Sequence, residues 1–246
     1  MENICDCNNI KNLLISTYKY RIELHSHTTP VSGCSAVTPQ EMADTYNERG
    51  YDAIVITNHF TKHNFRDMSK DEAIKFYLSG YEETKTAAKN CNLKVLLGAE
   101  IRFDENANDY LLYGVDEEIL SICYDFFDKG VESFRKEVNL PNSVFVQAHP
   151  FRDNMVRVSP ELLDGMETFN MHPEHNSRVG VAVRYASENG IKIKIAGSDY
   201  HKKATKGDAV TALRTKILPN DSFELAGILK SNDYIYEIGG SSIVIM

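Results

Sequence analysis

The sequence predicts an α/β fold built on a mainly parallel sheet. Short β-prone runs recur along the chain, and longer stretches bounded by helix caps lie between them. No repeat, low-complexity tract or Pro/Gly/Ser-rich linker interrupts the 246 residues, so residues 1–246 are expected to form one domain. The first β-prone run is YRIELHSH (20–27). In TPQEMADTYNERG (38–50) Thr38 caps a helix, Pro39 takes its first position, Glu41 completes a capping box and Gly50 ends it. DAIVITNH (52–59) reads as a strand and SKDEAIKFYLSGYEETKTAAKN (69–90) as a helix capped by Ser69 and Glu72. LKVLLGAEIRF (93–103) and DYLLYGV (109–115) read as strands, and EEILSICYDFFDKG (117–130) as a helix stopping at Gly130. Two more strands, SVFVQAH (143–149) and DGMETFN (164–170), precede a helix at HNSRVGVAVRYASENG (175–190). IKIKIAGSDYH (191–201) is the last clear strand, and DSFELAGILK (221–230) a last helix capped by Asp221 and Glu224.

Composition narrows the functions. A net charge of −8 and a pI near 5.5 argue against a broad grip on long nucleic acid, which needs a basic face. A small anionic substrate remains compatible. No apolar run is long enough to span a membrane, and MENICDCNNIKNLLIST lacks the basic start and apolar core of a signal peptide. Cys5, Cys7, Cys34, Cys91 and Cys123 are odd in number and scattered, which suits a reduced, cytoplasmic protein. The pair Cys5 and Cys7 is read as free thiols on a loose terminus rather than a metal site.

The chemistry lies where the β-prone runs end. His25 and His27, two apart, project from one face of the first strand, opposite Ile22 and Leu24. His59 ends the second run, Glu100 stands late in LLGAE, His149 ends VFVQAH, and Asp199 and His201 close IAGSDYH. A single histidine at a strand end is ordinarily a hydrogen-bonded structural residue. Five of the eight histidines with two carboxylates at corresponding ends point instead to one metal-binding pocket.

The ordered motifs H-S-H, T-N-H, G-A-E, A-H-P and G-S-D-Y-H, over residues 25 to 201, resemble the PHP (polymerase and histidinol phosphatase) phosphoesterase domain. The resemblance implies a distorted seven-stranded (β/α) TIM-like barrel with two or three divalent ions, and an imidazole-rich site with carboxylates suits zinc first, with manganese or iron as alternatives. It implies that His25, His27, Glu100 and Asp199 hold one metal. Glu100 would bridge to a second, served also by His149, and His59 and His201 would serve a third. Ser32 and Gly33 stand where many members have Asp or His, and Asn58 where Asp is common. The strand DYLLYG lacks a histidine found in many members, and Asp109 on that strand is a substitute ligand.

Such a centre implies in-line attack on phosphorus by a metal-bound water held by Glu100, Asp199 and His149. Arg152, three residues after His149, is the expected phosphate-binding cation. Arg102, Lys202 and Lys203 are further cations, and Asn170, His172 and His175 further pocket residues, with His172 an additional candidate ligand. No Cys-based phosphatase loop, Gly-rich phosphate loop or G-x-S-x-G elbow is present. The expected activity is hydrolysis of a small phosphomonoester. The alternatives are a nuclease acting on short or single-stranded oligonucleotide ends, a metal amidohydrolase, and a non-catalytic module. The sequence leaves substrate and oligomeric state open.

Overall fold

Alternating side chains in β1 (Tyr20–Ser26) send Ile22 and Leu24 into one apolar cluster and leave Glu23 and His25 for the other face. The computed structural model describes residues 7–202, 211–240 and 242–245. Cys5 and Lys203 lie outside these residues, and the side chain of Cys7 is likewise undescribed.

The remaining strands form two six-stranded sheets that share chain segments. β2 (Ala53–Ile56) runs on into β3 (His59–Thr61), and β4 (Lys94–Leu97) into β5 (Ala99–Arg102), each passing from the first sheet to the second. The second sheet continues through β6 (Asp109–Tyr113), β7 (Val144–Gln147), β8 (Gly165–Asn170) and β9 (Ile193–Gly197). Past β9 the chain returns to β1: Ser26 bridges Tyr200, and the His27 amide donates to the Tyr200 carbonyl at 3.1 Å. Ile22, Val55, Leu96, Leu111, Val146 and Ile195, from strands of both sheets, meet in one apolar cluster.

The helices keep most of their expected caps. Thr38 and Glu41 form a capping box on α2, after α1 (Cys7–Thr17), and α2 spans Pro39–Glu48. Ser69 and Glu72 do the same for α3 (Lys70–Ala87). The expected 117–130 helix is broken. α4 covers Glu117–Tyr124, and Gly130, at φ +80°, opens a separate α5 (Gly130–Glu137). A Cβ on Gly130 would collide with the Glu105 carboxylate, which accepts the Val131 amide at 3.0 Å. α6 (Val179–Glu188) starts later than its sequence suggests, and α7 (Ser222–Ser231) is capped by Asp221.

Three features were not expected. α1 is helical where the sequence suggests a loose end. β10 (Thr211–Thr215), β11 (Ile235–Ile238) and β12 (Ser242–Val244) extend the first sheet in antiparallel fashion beside β1. β6 runs antiparallel to both its neighbours, so its first residue, rather than its last, reaches the face where β5 and β7 end. Among the described residues no helix is long and apolar enough to cross a membrane.

Candidate metal centre

β1 delivers His25 and His27 fully buried, with ring centroids 5.0 Å apart. His59 starts β3 rather than ending β2, and pairs in register with Glu100 on β5. Asp109 opens the reversed β6 and enters the same space. His149 and Asp199 follow β7 and β9, and both hold left-handed backbone conformations, at φ +28° and +53°. Such conformations cost non-glycine residues on the order of 1–3 kcal/mol and concentrate at functional sites. His201 stacks on His27 with centroids 4.2 Å apart. All seven expected ligands therefore meet in one region.

Glu100 stands at the middle. Its Oε1 lies 3.3 Å from His25 Nε2 and 3.1 Å from His149 Nε2; its Oε2 lies 2.7 Å from His59 Nδ1 and 3.4 Å from His27 Nε2. Asp199 Oδ1 lies 3.4 Å from both His25 Nε2 and His27 Nε2 and 3.2 Å from His201 Nδ1. Three groups of ligand atoms are close enough to hold an ion: His25, His27 and Glu100; His59, Glu100 and Asp109; and His27, His59 and His201. His172 and His175 belong to none of these groups among the described residues. They line the cleft beside them, with rings 4.4 Å apart.

The crowding of charge sets the protonation. Burial would raise the Glu100 carboxyl, but the imidazoles of His59 and His25 hold it well below the usual carboxylate range. Burial would lower His25, yet Glu167, Asp199 and Glu100 hold it well above the ordinary histidine value. His27 goes the other way, lowered by burial and by the neighbouring His201 and His59.

The residues fit cations. His25 Nε2, His27 Nε2, His59 Nδ1, His149 Nδ1 and Glu100 Oε2 are buried without a well-formed hydrogen bond. Each such atom left alone costs about 1–3 kcal/mol, and a cation beside lone pairs of this kind offsets that cost. The donor set of imidazoles and carboxylates suits zinc, manganese or iron.

Two buried acids missed in the sequence hold the ligands in place. Glu167 on β8 faces His25 Nδ1 at 2.8 Å with Oε1 and accepts the His149 amide at 2.8 Å with Oε2. Glu23 accepts the amides of Leu24, His25 and Ser198 at 3.0, 2.9 and 2.9 Å, tying the backbone ahead of Asp199 to β1. The available signal was a single acid inside each of two otherwise uncharged strand segments, IEL and GMETFN. The departures at Ser32 and Asn58 also gain a purpose. Ser32 Oγ donates to Asn58 Oδ1 at 2.9 Å, accepts the His59 amide at 2.9 Å and lies 3.2 Å from His27 Nδ1. Asn58 is a fully buried brace of the first loop, accepting the Thr28 amide at 2.7 Å.

A cleft of about 270 Å³ opens over these groups, lined in part by Arg102, Arg152, His172, His175 and Lys202. Arg152 reaches it as expected, but its Nη2 is engaged by Asp199 Oδ2 at 2.6 Å and Asn170 Oδ1 at 2.8 Å. Arg102 grips Asp109 through two bonds of 2.7 and 2.6 Å, and Lys202 pairs with Glu174 at 2.9 Å. An adjoining cleft of about 580 Å³ shares Cys34, His59 and Arg102 and adds Thr61, His63, Asn64 and Asp104.

The chain belongs to the PHP domain family, whose pattern its residues 23–163 match, from the acid before H-S-H to the loop beyond His149. It is 24% identical over 179 residues to a PolC-type DNA polymerase III of Oceanobacillus iheyensis, a match covering 62% of this chain but 11% of the polymerase. PsfC from Pseudomonas syringae has a similar fold, with a TM-score of 0.56, 13% identity, and coverage of 82% of this chain and 84% of PsfC. So does a two-domain protein from Bacteroides vulgatus containing a predicted PHP-like metal-dependent phosphoesterase, with a TM-score of 0.55, 14% identity, and coverage of 89% and 65% of the two chains.

Proposed function

We propose that the chain is a metal-dependent phosphoesterase that hydrolyses a small phosphomonoester. The observation that carries this is the position of Glu100, whose Oε1 lies between His25 Nε2 at 3.3 Å and His149 Nε2 at 3.1 Å while its Oε2 faces His27 and His59. In this reading His25, His27, Glu100 and Asp199 hold one cation, and Glu100, His149 and Asp109 a second. His59 and His201 serve a third. Cations so placed supply Lewis acidity to a phosphoryl group and make a neighbouring water more acidic.

The chain's own side chains do the rest. Glu100, Asp199 and His149 hold the attacking water. Arg152 turns its guanidinium from Asp199 and Asn170 toward the substrate phosphate, where planar paired donors suit a phosphoryl group. The alcohol half of the ester lies in the wider cleft. Its lining of Thr61, His63, Asn64, Arg102 and Asp104 offers polar contacts and, among the described residues, no Phe, Tyr or Trp. That favours a small hydrophilic substrate over an oligonucleotide. Zinc is the first choice of ion, with manganese and iron next.

The test is to assay bound metal and phosphate release across phosphorylated metabolites and short oligonucleotides, with Zn, Mn and Fe. Asp199→Ala should lose bound metal and phosphate release together. Full activity in that variant would refute the assignment, and cleavage of oligonucleotides alone would replace phosphatase with nuclease.

A further inference from the structure

Ser32 and Gly33 leave the third cation position without the acidic or imidazole ligand found there in many PHP domains, yet a different side chain stands beside it. Cys34 is a free, exposed cysteine in the turn after β1. Its side chain lines the same cleft as His59 and His201 and interacts with both. All three side chains open onto the same 270 Å³ cleft. Behind them the nitrogens of His27, His59 and His201 approach within 4.8 Å of one another. Cys34 is the soft donor that lines the cleft over these imidazoles.

Building on the metal-centre reading above, we propose that Cys34 supplies a thiolate ligand to the third cation position, beside His59 and His201. Two imidazoles and a thiolate with one place left open is a donor set suited to a zinc ion that keeps room for water or substrate. A thiolate is a poor ligand for magnesium or manganese and a good one for zinc or cobalt, so this position would be the most selective of the three. Metal binding releases the thiol proton, and no redox step is involved.

The test uses the full chain reloaded with cobalt(II), together with Cys34→Ser and Cys34→Asp. The wild type should show an intense near-ultraviolet sulfur-to-cobalt charge-transfer band. Cys34→Ser should lose that band and one ion per chain. Cys34→Asp should regain the ion without the band. Cys34 is exposed, so the substitutions leave the core untouched, and circular dichroism checks the fold. Cobalt bound without the band, or an unchanged ion count in Cys34→Ser, would overturn the proposal. Failure of the wild type to bind any metal would overturn the metal-centre reading itself, and this proposal with it.

Discussion

Glu167 Oε1 lies 2.8 Å from His25 Nδ1, with both side chains fully buried. The carboxylate fixes the imidazole so that Nε2 faces Glu100 and Asp199, the arrangement in which an outer acid orients a metal-binding histidine. Glu167→Gln is expected to weaken binding at the first cation position by about 10–100-fold. Metal titration of the purified variant checks it. An affinity equal to that of the wild type would remove Glu167 from the centre.

Gly197 makes this pair possible. A Cβ at that position would lie 2.5 Å from both Glu167 Oε1 and His25 Cβ. Gly197→Ala should therefore force the two apart, costing about 1–3 kcal/mol as an overpacked core site, and should lower the bound metal. A urea melt and a metal assay on the same sample separate the two effects. A variant as stable and as well loaded as the wild type would show that the strand shifts without strain.

Arg152 serves two partners in this reading, Asp199 in the free protein and phosphate in the complex. Arg152→Lys keeps the charge but loses the paired planar donors. The expected result is a rise of about tenfold in KM for a phosphomonoester, the worth of roughly one charge-assisted hydrogen bond. Inhibition by inorganic phosphate should weaken in parallel. Unchanged phosphate inhibition would leave Arg152 as a structural partner of Asp199 alone.

His172 gives a pH prediction. Burial pulls its pKa down to about 4, with His201, His175 and Arg152 adding to the effect against the pull of Asp199. The unfolded chain therefore binds more protons than the folded one between about pH 6.5 and about 4. The stability of the neutral imidazole is present above that window and lost as pH falls through it. The carboxyls of Glu100 and Asp199, both held well below their usual range, lose stability in the same direction as they protonate. Within that window, from about pH 6.5 down to about 4, urea midpoints of the metal-free protein should fall on acidification, and less steeply in His172→Gln. An identical slope in the two proteins would exclude His172 as a contributor.

The candidate ligands were legible because a metal centre calls for residue types that strands seldom place at their ends for packing alone. His25, His27, His59, Glu100, His149, Asp199 and His201 could each be named from local pattern, as could the capping pairs Thr38/Glu41 and Ser69/Glu72. The early end of α4 at Tyr124 and the new helix α5 were hidden because the turn between them packs against the Glu105 carboxylate, distant in sequence. The hairpin-like addition of β10 to β12 was hidden because its pairing partner, β1, lies far back in the chain.

What the sequence determined by itself was the set of donors and their order along an α/β chain. Tertiary structure decided how they are used. Only the reversal of β6 shows why Asp109, at a strand's start, reaches the same cavity as residues at strand ends. Only packing shows that Glu23 and Glu167 are buried braces, that Arg152 is held by Asp199, and that Cys34 faces two imidazoles. The physical reason is that burial and charge pairing are long-range properties. A glutamate in a strand has the same local pattern whether water or a histidine from another strand stands opposite.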